Sequence, residues 1–181
     1  MLLSREGEVQ GTEVADAPYS SLSTRHHQMF LTLTPAELER VRRFGDLHHW
    51  HAGDMLFRSG HVSPGMFVLI SGRVRVTQRS WQGVEKTVVE HGPSQFVAEV
   101  GQLSGRPALV DGTAIEPVSA VLITPERLRA LIVAEAELGE RIMRALILRR
   151  VALIEKGVGP VLVGKSNDSR LVARMLTPGA R

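Results

Sequence analysis

HGPSQFVAEVGQLSGRPALVDGTA, residues 91–114 of this 181-residue chain, is the stretch from which the fold can be inferred. Turn-forming residues at 92–94 and 104–107 enclose a segment long enough for about two helical turns. Strand-like sequence lies on both sides, so we expect a short helix inserted into a β-structure. The first N–H groups of such a helix lack partners within it and attract anions.

Glu99 and Arg106 give this segment a candidate binding site for a small anion. The Glu99 carboxylate would accept a sugar hydroxyl, and Arg106 would face a phosphate. The backbone N–H groups from Ala98 to Val100 would face the same phosphate, which fits a cyclic phosphodiester on a sugar. The alternative is a capped surface helix whose Glu99 and Arg106 side chains are solvated. The spacing alone leaves both interpretations open.

The composition favours one domain with a substantial core. Hydrophobic residues make up 43% of the chain, and 22 basic residues nearly balance 19 acidic ones, for a net charge of +3. This balance does not indicate a dedicated nucleic-acid binder. The absence of cysteine excludes disulfides and thiol catalysis. The start MLLSREGEVQ lacks the apolar core of a signal peptide, and no run approaches the roughly 20 apolar residues of a membrane span, so we expect a soluble, cytoplasmic protein.

We divide the chain into a mobile arm over 1–29, a domain over 30–156 and a βα tail over 157–181. The arm is polar and mixed. Thr34, Pro35 and Glu37 form a strong helix start, because Thr34 can cap the helix and Glu37 completes a capping box. The tail reads as one strand and one helix, which is too little to fold alone, so we interpret it as a βα remnant.

Between Leu47 and Thr124 the hydrophobic pattern is that of β-strands. Seven or eight short segments alternate or run apolar, with frequent glycine turns between them. This pattern predicts a mainly β fold: a sandwich, a jelly roll or a small barrel. The clearest strands are expected at 55–57, 66–70, 74–77, 85–90, 114–115 and 118–123.

Helical sequence resumes at Thr124-Pro125-Glu126, and a long amphipathic helix is expected from Ala136 to Lys156. Its apolar stripe carries more surface than one small β-domain would cover, so we expect a homodimer formed through this helix. The residues expected at the dimer interface are Met143, Leu146, Ile147, Val151 and Ile154.

Four arginines on the same helix admit two interpretations. Arg141, Arg144, Arg149 and Arg150 form either a phosphate-reading face or, as is more common, a solvated helix side. No helix-turn-helix pattern follows them, so we expect no direct DNA binding.

The histidines His48, His49 and His51 are candidates for metal ligands. No glutamate follows them at the spacing of a catalytic β-roll metal site, so we interpret them as surface residues on a strand. Catalytic serine, nucleotide-loop and thiol motifs are also missing. The sequence therefore predicts a protein that is not an enzyme and has no resident cofactor or metal.

Several runs resemble the cyclic nucleotide-binding domain family, which includes catabolite activator proteins and the regulatory domains of kinases and channels. The resemblance rests on Ala52–Phe57, Gly60 and Met66–Val74, and it continues through Phe96–Glu99, Ala114–Val118 and the two closing helices. It covers about residues 30–156. The resemblance implies an eight-stranded β-roll (a jelly roll) with an N-terminal helix, a short helix in a phosphate-binding cassette, and a long C-terminal helix that often dimerises.

The cassette departs from the family pattern of Phe-Gly-Glu-Leu followed by Arg-Ser/Thr-Ala. Ala98 replaces the glycine, Pro107 replaces the hydroxyl residue, and alignment backwards from Glu116 places Ala108 at the arginine position. Arg106 is then offset by two residues. The residues that the resemblance implies at a ligand site are Phe96, Val97, Ala98, Glu99, Val100, Arg106, Pro107, Ala108 and Val76.

Residues 101–107, the long helix and the run at 161–164 are similar to a narrower subgroup, in which this domain precedes a thioredoxin-disulfide-reductase-like flavoenzyme. This similarity implies that the tail is a remnant or a truncated start of a following α/β segment. Two hypotheses follow. The domain is a sensor that binds a cyclic nucleotide such as cyclic AMP, or a related small anion, and signals through its last helix. Alternatively, it is a ligand-free β-roll used for dimerisation or for docking to a redox enzyme.

Overall fold

The computed structural model describes residues 26–79, 83–98 and 100–155. The predicted tail over 157–181 and most of the predicted arm lie outside the described residues. Within the described residues, no helix has the length and apolar character needed to cross a membrane.

Eight strands form two four-stranded antiparallel sheets. This confirms the predicted eight-stranded roll. The strands are β1 Asp46–Trp50, β2 Met55–Phe57, β3 Met66–Ser71, β4 Val74–Arg79, β5 Glu85–His91, β6 Phe96–Val97, β7 Asp111–Ala114 and β8 Val118–Ile123. The strand order is β1-β8-β3-β6 in the first sheet and β2-β7-β4-β5 in the second.

Strand β8 lies in the middle of the first sheet and joins segments that are far apart in the chain. It pairs with β1 on one side, with Trp50 opposite Val118, and with β3 on the other, with Met66 opposite Ile123. Gly65 allows β3 to approach closely, because a Cβ at this position would lie 2.2 Å from the carbonyl oxygen of Ile123. The second sheet contains the local hairpin of β4 and β5.

The described residues form four α-helices, of which the second, third and fourth pack against the first sheet. These helices are α1 His26–Met29, α2 Pro35–Arg42, α3 Pro125–Ala134 and α4 Ala136–Glu155. The predicted capping box is confirmed: the Thr34 N–H donates to Glu37 Oε2 at 2.9 Å, and the Glu37 N–H donates to Thr34 Oγ1 at 3.2 Å. The helix start at Thr124-Pro125 is also confirmed, with the Thr124 side chain accepting from the Arg127 N–H.

Helix α1 lies at the end of the predicted arm over 1–29. In this helix Met29 is buried, and the helix packs on α4. Burial of such an apolar side chain stabilises a segment that is otherwise polar. The mobility expected of the arm stays a prediction.

Two hydrophobic clusters form the core. One fills the interior of the roll between the sheets, and the other lies between the first sheet and the helices. The first sheet separates them, and on its strand β6 Phe96 belongs to the helical cluster and Val97 to the roll interior. Helix α4 contributes to both clusters, with Leu146 in the helical one and Leu153 in the roll interior.

The apolar stripe of α4 is only partly exposed, which changes the set of residues available to a partner. Leu146 is fully buried, and Met143 is partly buried against the helical cluster, so both serve the core of the monomer. Ile147, Val151 and Ile154 are exposed by 49%, 42% and 56%. Of the five residues predicted at the dimer interface, only these three are therefore exposed enough to contact a partner.

Candidate functional site

The candidate site follows β6, where the chain leaves the first sheet. Beyond Phe96–Val97 the structure contains a five-residue 3-10 helix, Val100–Ser104, instead of the longer helix predicted. The turn is tightened by hydrogen bonds to its own carbonyl groups: Ser104 Oγ donates to the Gly101 oxygen at 3.0 Å, and the Gly105 N–H donates to the Gln102 oxygen at 3.2 Å. Gly105 ends it with a φ of 66°, a conformation that favours glycine.

A cleft opens beside this turn. Its lining residues are Phe57, Ser63, Ala98, Gln102, Arg106 and Ala108. The cavity volume is about 10 Å³, close to the room that one water molecule needs. Binding of a nucleotide would therefore require the cleft to widen.

The structure brings together only part of the predicted ligand-binding set. Ala98, Arg106 and Ala108 line the cleft. Phe96 and Val97 are fully buried on opposite sides of β6, and Val76 lies on β4 in the core of the roll. Val100 begins the 3-10 helix, and Pro107 is exposed. Glu99, on which the predicted site most depends, lies outside the described residues.

Ala108 is held in place by the loop after β2. Its N–H donates to the carbonyl oxygen of His61, and its own carbonyl accepts from the Gly60 N–H, both at 2.9 Å. These two hydrogen bonds fix the cassette backbone at Ala108, whose side chain carries no charge. Arg106 is exposed and lines the same cleft, so it supplies a cation at this site.

Arg149 is buried, and its interpretation as part of a solvated helix side is wrong. Its side chain leaves α4 and inserts between the rings of Phe30 and Phe96, 5.3 Å and 4.5 Å from their centroids. Nε donates to the Met29 carbonyl at 2.7 Å, and Nη1 donates to the Phe96 carbonyl at 3.0 Å. These bonds connect α4 both to α1 and to the strand that leads into the cassette.

Burial alters the proton affinity of this cluster. It lowers the pKa of Arg149 to about 9, which leaves the guanidinium charged at neutral pH. Burial, and secondly the nearby charge of Arg149, lower the pKa of His91 to about 3, although a hydrogen bond with Gln95 opposes this shift. His91 is therefore neutral at physiological pH.

Two further arginines of the helices contact the 3-10 helix. Arg129 of α3 donates to the carbonyl oxygen of Leu103. Arg150 of α4 lies against Gly101, where a Cβ would come 3.2 Å from its Nη1. With Arg149 at the Phe96 carbonyl, the helices contact the cassette segment at three separate points.

Gln102 was missed as a candidate from the sequence. It is 2% exposed, lines the cleft, and has no hydrogen-bond partner for either Nε2 or Oε1. An unsatisfied buried polar group costs about 1–3 kcal/mol. One feature of the sequence could have identified Gln102: it is the single amide side chain in the largely apolar run from Phe96 to Leu103.

The histidine group lies away from the cleft lining. His48 and His49 are on β1 and exposed, as expected for a surface strand, and His49 Nδ1 lies 2.9 Å from Ser119 Oγ. The described part of the chain contains no cluster of three or more side chains that could ligate a metal ion.

Comparison with known proteins shows what this domain is similar to. Residues 47–135, just under half of the chain, match the family model described as the cyclic nucleotide-binding domain. The described fold agrees with this match: 72% of the chain superposes on the catabolite activator protein of Thermus thermophilus, with a TM-score of 0.60 and 22% sequence identity, covering 61% of that protein. Residues 47–135 are thus similar to the cyclic nucleotide-binding domain family, and the described part of the chain has the jelly-roll fold of the activator protein.

Two other matches are informative. The chain is 29% identical over 97 residues to the "CRP-like cAMP-activated global transcriptional regulator" of Mycobacterium tuberculosis, which covers 54% of the chain and 43% of that regulator. It also resembles the structure named "A cyclic-GMP-dependent signalling pathway regulates bacterial phytopathogenesis", with a TM-score of 0.55, 24% identity and coverage of 66% of this chain and 95% of that one. The chain spans less than half the length of the curated relative. The similarity to a flavoenzyme regulatory domain stays a prediction.

Proposed function

We propose that the roll is a regulatory sensor that binds a cyclic nucleotide, or a related small anion, at the cleft beside the 3-10 helix and signals through α4. The observation that carries the proposal is the position of this cleft. It contains the cation Arg106, and arginines of α3 and α4 contact the adjoining cassette segment. The similarity to cyclic nucleotide-binding domains supports the class of ligand.

The contacts of Arg149 and Leu153 support the proposed signalling through α4. Arg149 joins α4 to the carbonyl of Phe96, and Leu153 places the last turns of α4 against the roll interior. A ligand that widens the cleft would shift these contacts only if it binds one arrangement of α4 more tightly than the other. The proposed output is therefore a change in the position of α4.

A specific observation also favours the ligand-free module as a second function. Pro107 provides no hydroxyl for a phosphate, and the cavity has the volume of about one water molecule. Ile147, Val151 and Ile154 meanwhile expose an apolar stripe. In this alternative the roll serves to form a homodimer or to dock onto a redox enzyme.

Isothermal titration with cyclic AMP and cyclic GMP separates the two functions. A sensor binds at least one of them, and the absence of heat at millimolar ligand would eliminate nucleotide sensing. If binding is measured, Glu99→Gln should weaken it by about 1–3 kcal/mol, because a charge-assisted hydrogen bond to the sugar hydroxyl is lost. Glu116→Gln is the matched control, since Glu116 is half exposed and faces Arg73 at the surface. Equal affinity of Glu99→Gln and wild type would refute the role assigned to Glu99.

A further inference from the structure

We propose that Gln102 is a recognition residue of the cleft, and that its amide binds a phosphoryl oxygen and a neighbouring sugar hydroxyl of the ligand. This inference rests on the proposed function and specifies the ligand chemistry of the same site. Gln102 is 2% exposed, it lines the cleft, and neither of its amide atoms has a hydrogen-bond partner.

The side chain of Gln102 has no evident structural task. The turn is closed by backbone groups, because the Gln102 carbonyl accepts from the Gly105 N–H and the Gly101 carbonyl accepts from the Arg106 N–H. An apolar side chain of similar length would fill the same space without a desolvated amide. Buried polar groups are normally paired, so an amide with both atoms unpaired requires an explanation.

The other buried unpaired atoms of the described residues differ from Gln102 in position. They belong to Thr77, His91 and Arg149, and none of these residues lines the cleft. Arg149 also uses two of its nitrogens in hydrogen bonds. Gln102 alone among this group combines unpaired polar atoms with a place where a ligand would lie.

The chemistry of the cleft defines the class of ligand that would satisfy Gln102. An amide presents an N–H donor beside a carbonyl acceptor. It therefore complements a ligand that has an acceptor next to a hydroxyl. Arg106 lines the same cleft and favours a negative charge on that acceptor, while Phe57, Ala98 and Ala108 form an apolar wall. A phosphorylated sugar with a free hydroxyl beside the phosphate meets these conditions, and a cyclic ribonucleotide is such a ligand.

Gln102 would also couple the ligand to the helices. Its neighbour Leu103 accepts a hydrogen bond from Arg129 of α3, and its neighbour Gly101 lies against Arg150 of α4. A ligand held by Gln102 thus acts on a turn that both helices contact.

The test is the variant Gln102→Met, which keeps the length of the side chain and removes the amide. Its affinities for cyclic AMP, cyclic GMP and 2′-deoxy-cyclic AMP are measured by titration, and its thermal stability is measured without ligand. We expect the affinity for the nucleotide that wild type binds to fall by about tenfold or more. The melting temperature without ligand should be unchanged or raised, because an unpaired buried amide has been removed. Gln78→Met, at a half-buried position of β4 away from the cleft lining, is the control and should bind like wild type.

The deoxy ligand distinguishes recognition from a merely structural role. Wild type should prefer cyclic AMP to its 2′-deoxy form, and Gln102→Met should lose part of this preference. An unchanged preference, or a variant whose melting temperature falls by several degrees, overturns the inference. If wild type binds and Gln102→Met binds equally well, the inference fails while the sensor function stands. If wild type binds none of these nucleotides, both fail.

Discussion

Arg149 and His91 form the most unusual pair of side chains in the described structure, because both are ionisable and both are buried. Arg149 is 8% exposed and His91 is 2% exposed, and the ring of Phe30 lies against both of them. Hydrogen bonds to two carbonyl groups and two aromatic faces hold the arginine in its charged form. The histidine must remain neutral, since a second buried positive charge would repel the first.

This pair makes stability depend on pH. The pKa of His91 is about 3 in the folded protein, below its ordinary value of 6.5, so the unfolded chain binds an additional proton between these values. The contribution of the neutral His91 to the free energy of unfolding is therefore fully present above pH 6.5, and it is lost as the pH decreases toward 3. We expect wild type to lose about 1–2 kcal/mol more than His91→Phe between pH 7 and pH 5, measured by urea unfolding. Equal losses in the two proteins would contradict this assignment.

The sequence contained a signal for the burial of Arg149, although its partners could not be foreseen. Ile142, Leu146, Arg149 and Leu153 follow one another at helical spacing, and all four are buried. Arg149 thus occupies a core position of the apolar stripe. Its two carbonyl partners belong to residues more than 50 positions away, and local periodicity carries no information on such distant contacts.

At the scale of elements, the strands, the helix caps and the presence of a short helix in the cassette were largely predictable, whereas the 3-10 geometry of that helix was not. Capping residues and alternating strands act locally, so Thr34 and the strand 118–123 were identified from their own neighbourhoods. The cassette segment became a 3-10 helix because Ser104 and Gly105 close it after five residues. The composition of the site depends on which side chains converge at the cleft, and sequence spacing carries no information on this. It therefore did not predict that Gln102 lines the cleft or that Val76 does not.

The contact between Gly65 and β8 gives a prediction about the first sheet. In Gly65→Ala the new methyl group would lie 2.2 Å from the carbonyl oxygen of Ile123, so β3 and β8 must separate. We expect a loss of about 1–3 kcal/mol in the free energy of unfolding. Gly92→Ala is the matched control, because a Cβ there meets nothing within 4 Å, and its effect should stay within about 0.5 kcal/mol. Similar stabilities for the two variants would disprove the close approach.

The exposed stripe of α4 gives a prediction about assembly. If wild type is a dimer through this helix, Ile147→Glu should convert it to a monomer in sedimentation experiments, because a charge would be buried in an apolar interface. Ile147 is 49% exposed in the monomer, so the variant should remain folded. Val133→Glu changes another exposed apolar residue, on α3, and should leave the dimer intact. A monomeric wild type would rule out this interface.

For the molecule as a whole, the proposed sensor requires that residues outside the cleft influence binding. Arg149 does not line the cleft, yet it joins α4 to the Phe96 carbonyl. Arg149→Lys keeps the charge but does not reproduce two separate hydrogen bonds from a planar group. If α4 and the ligand are coupled, this variant should change nucleotide affinity by about fivefold or more, as measured by titration.

Arg144→Lys is the control for this coupling. Arg144 lies on the same helix, but it is exposed and pairs with Glu140 at the surface, so nucleotide affinity should be unchanged. Identical affinities of wild type and a folded Arg149→Lys variant would show that α4 is not coupled to the ligand through this residue.

The central position of β8 also determines the order in which the roll can assemble during synthesis. The hairpin of β4 and β5 is continuous in sequence and can pair as soon as both strands have left the ribosome. Strands β1 and β3, by contrast, share a partner that is translated last of the eight. Until then the apolar strand β3 can pair only with the two-residue strand β6. In a nascent chain that ends before Val118, the edge of β3 that pairs with β8 is therefore exposed, and exposed apolar strand edges make incomplete chains prone to aggregation.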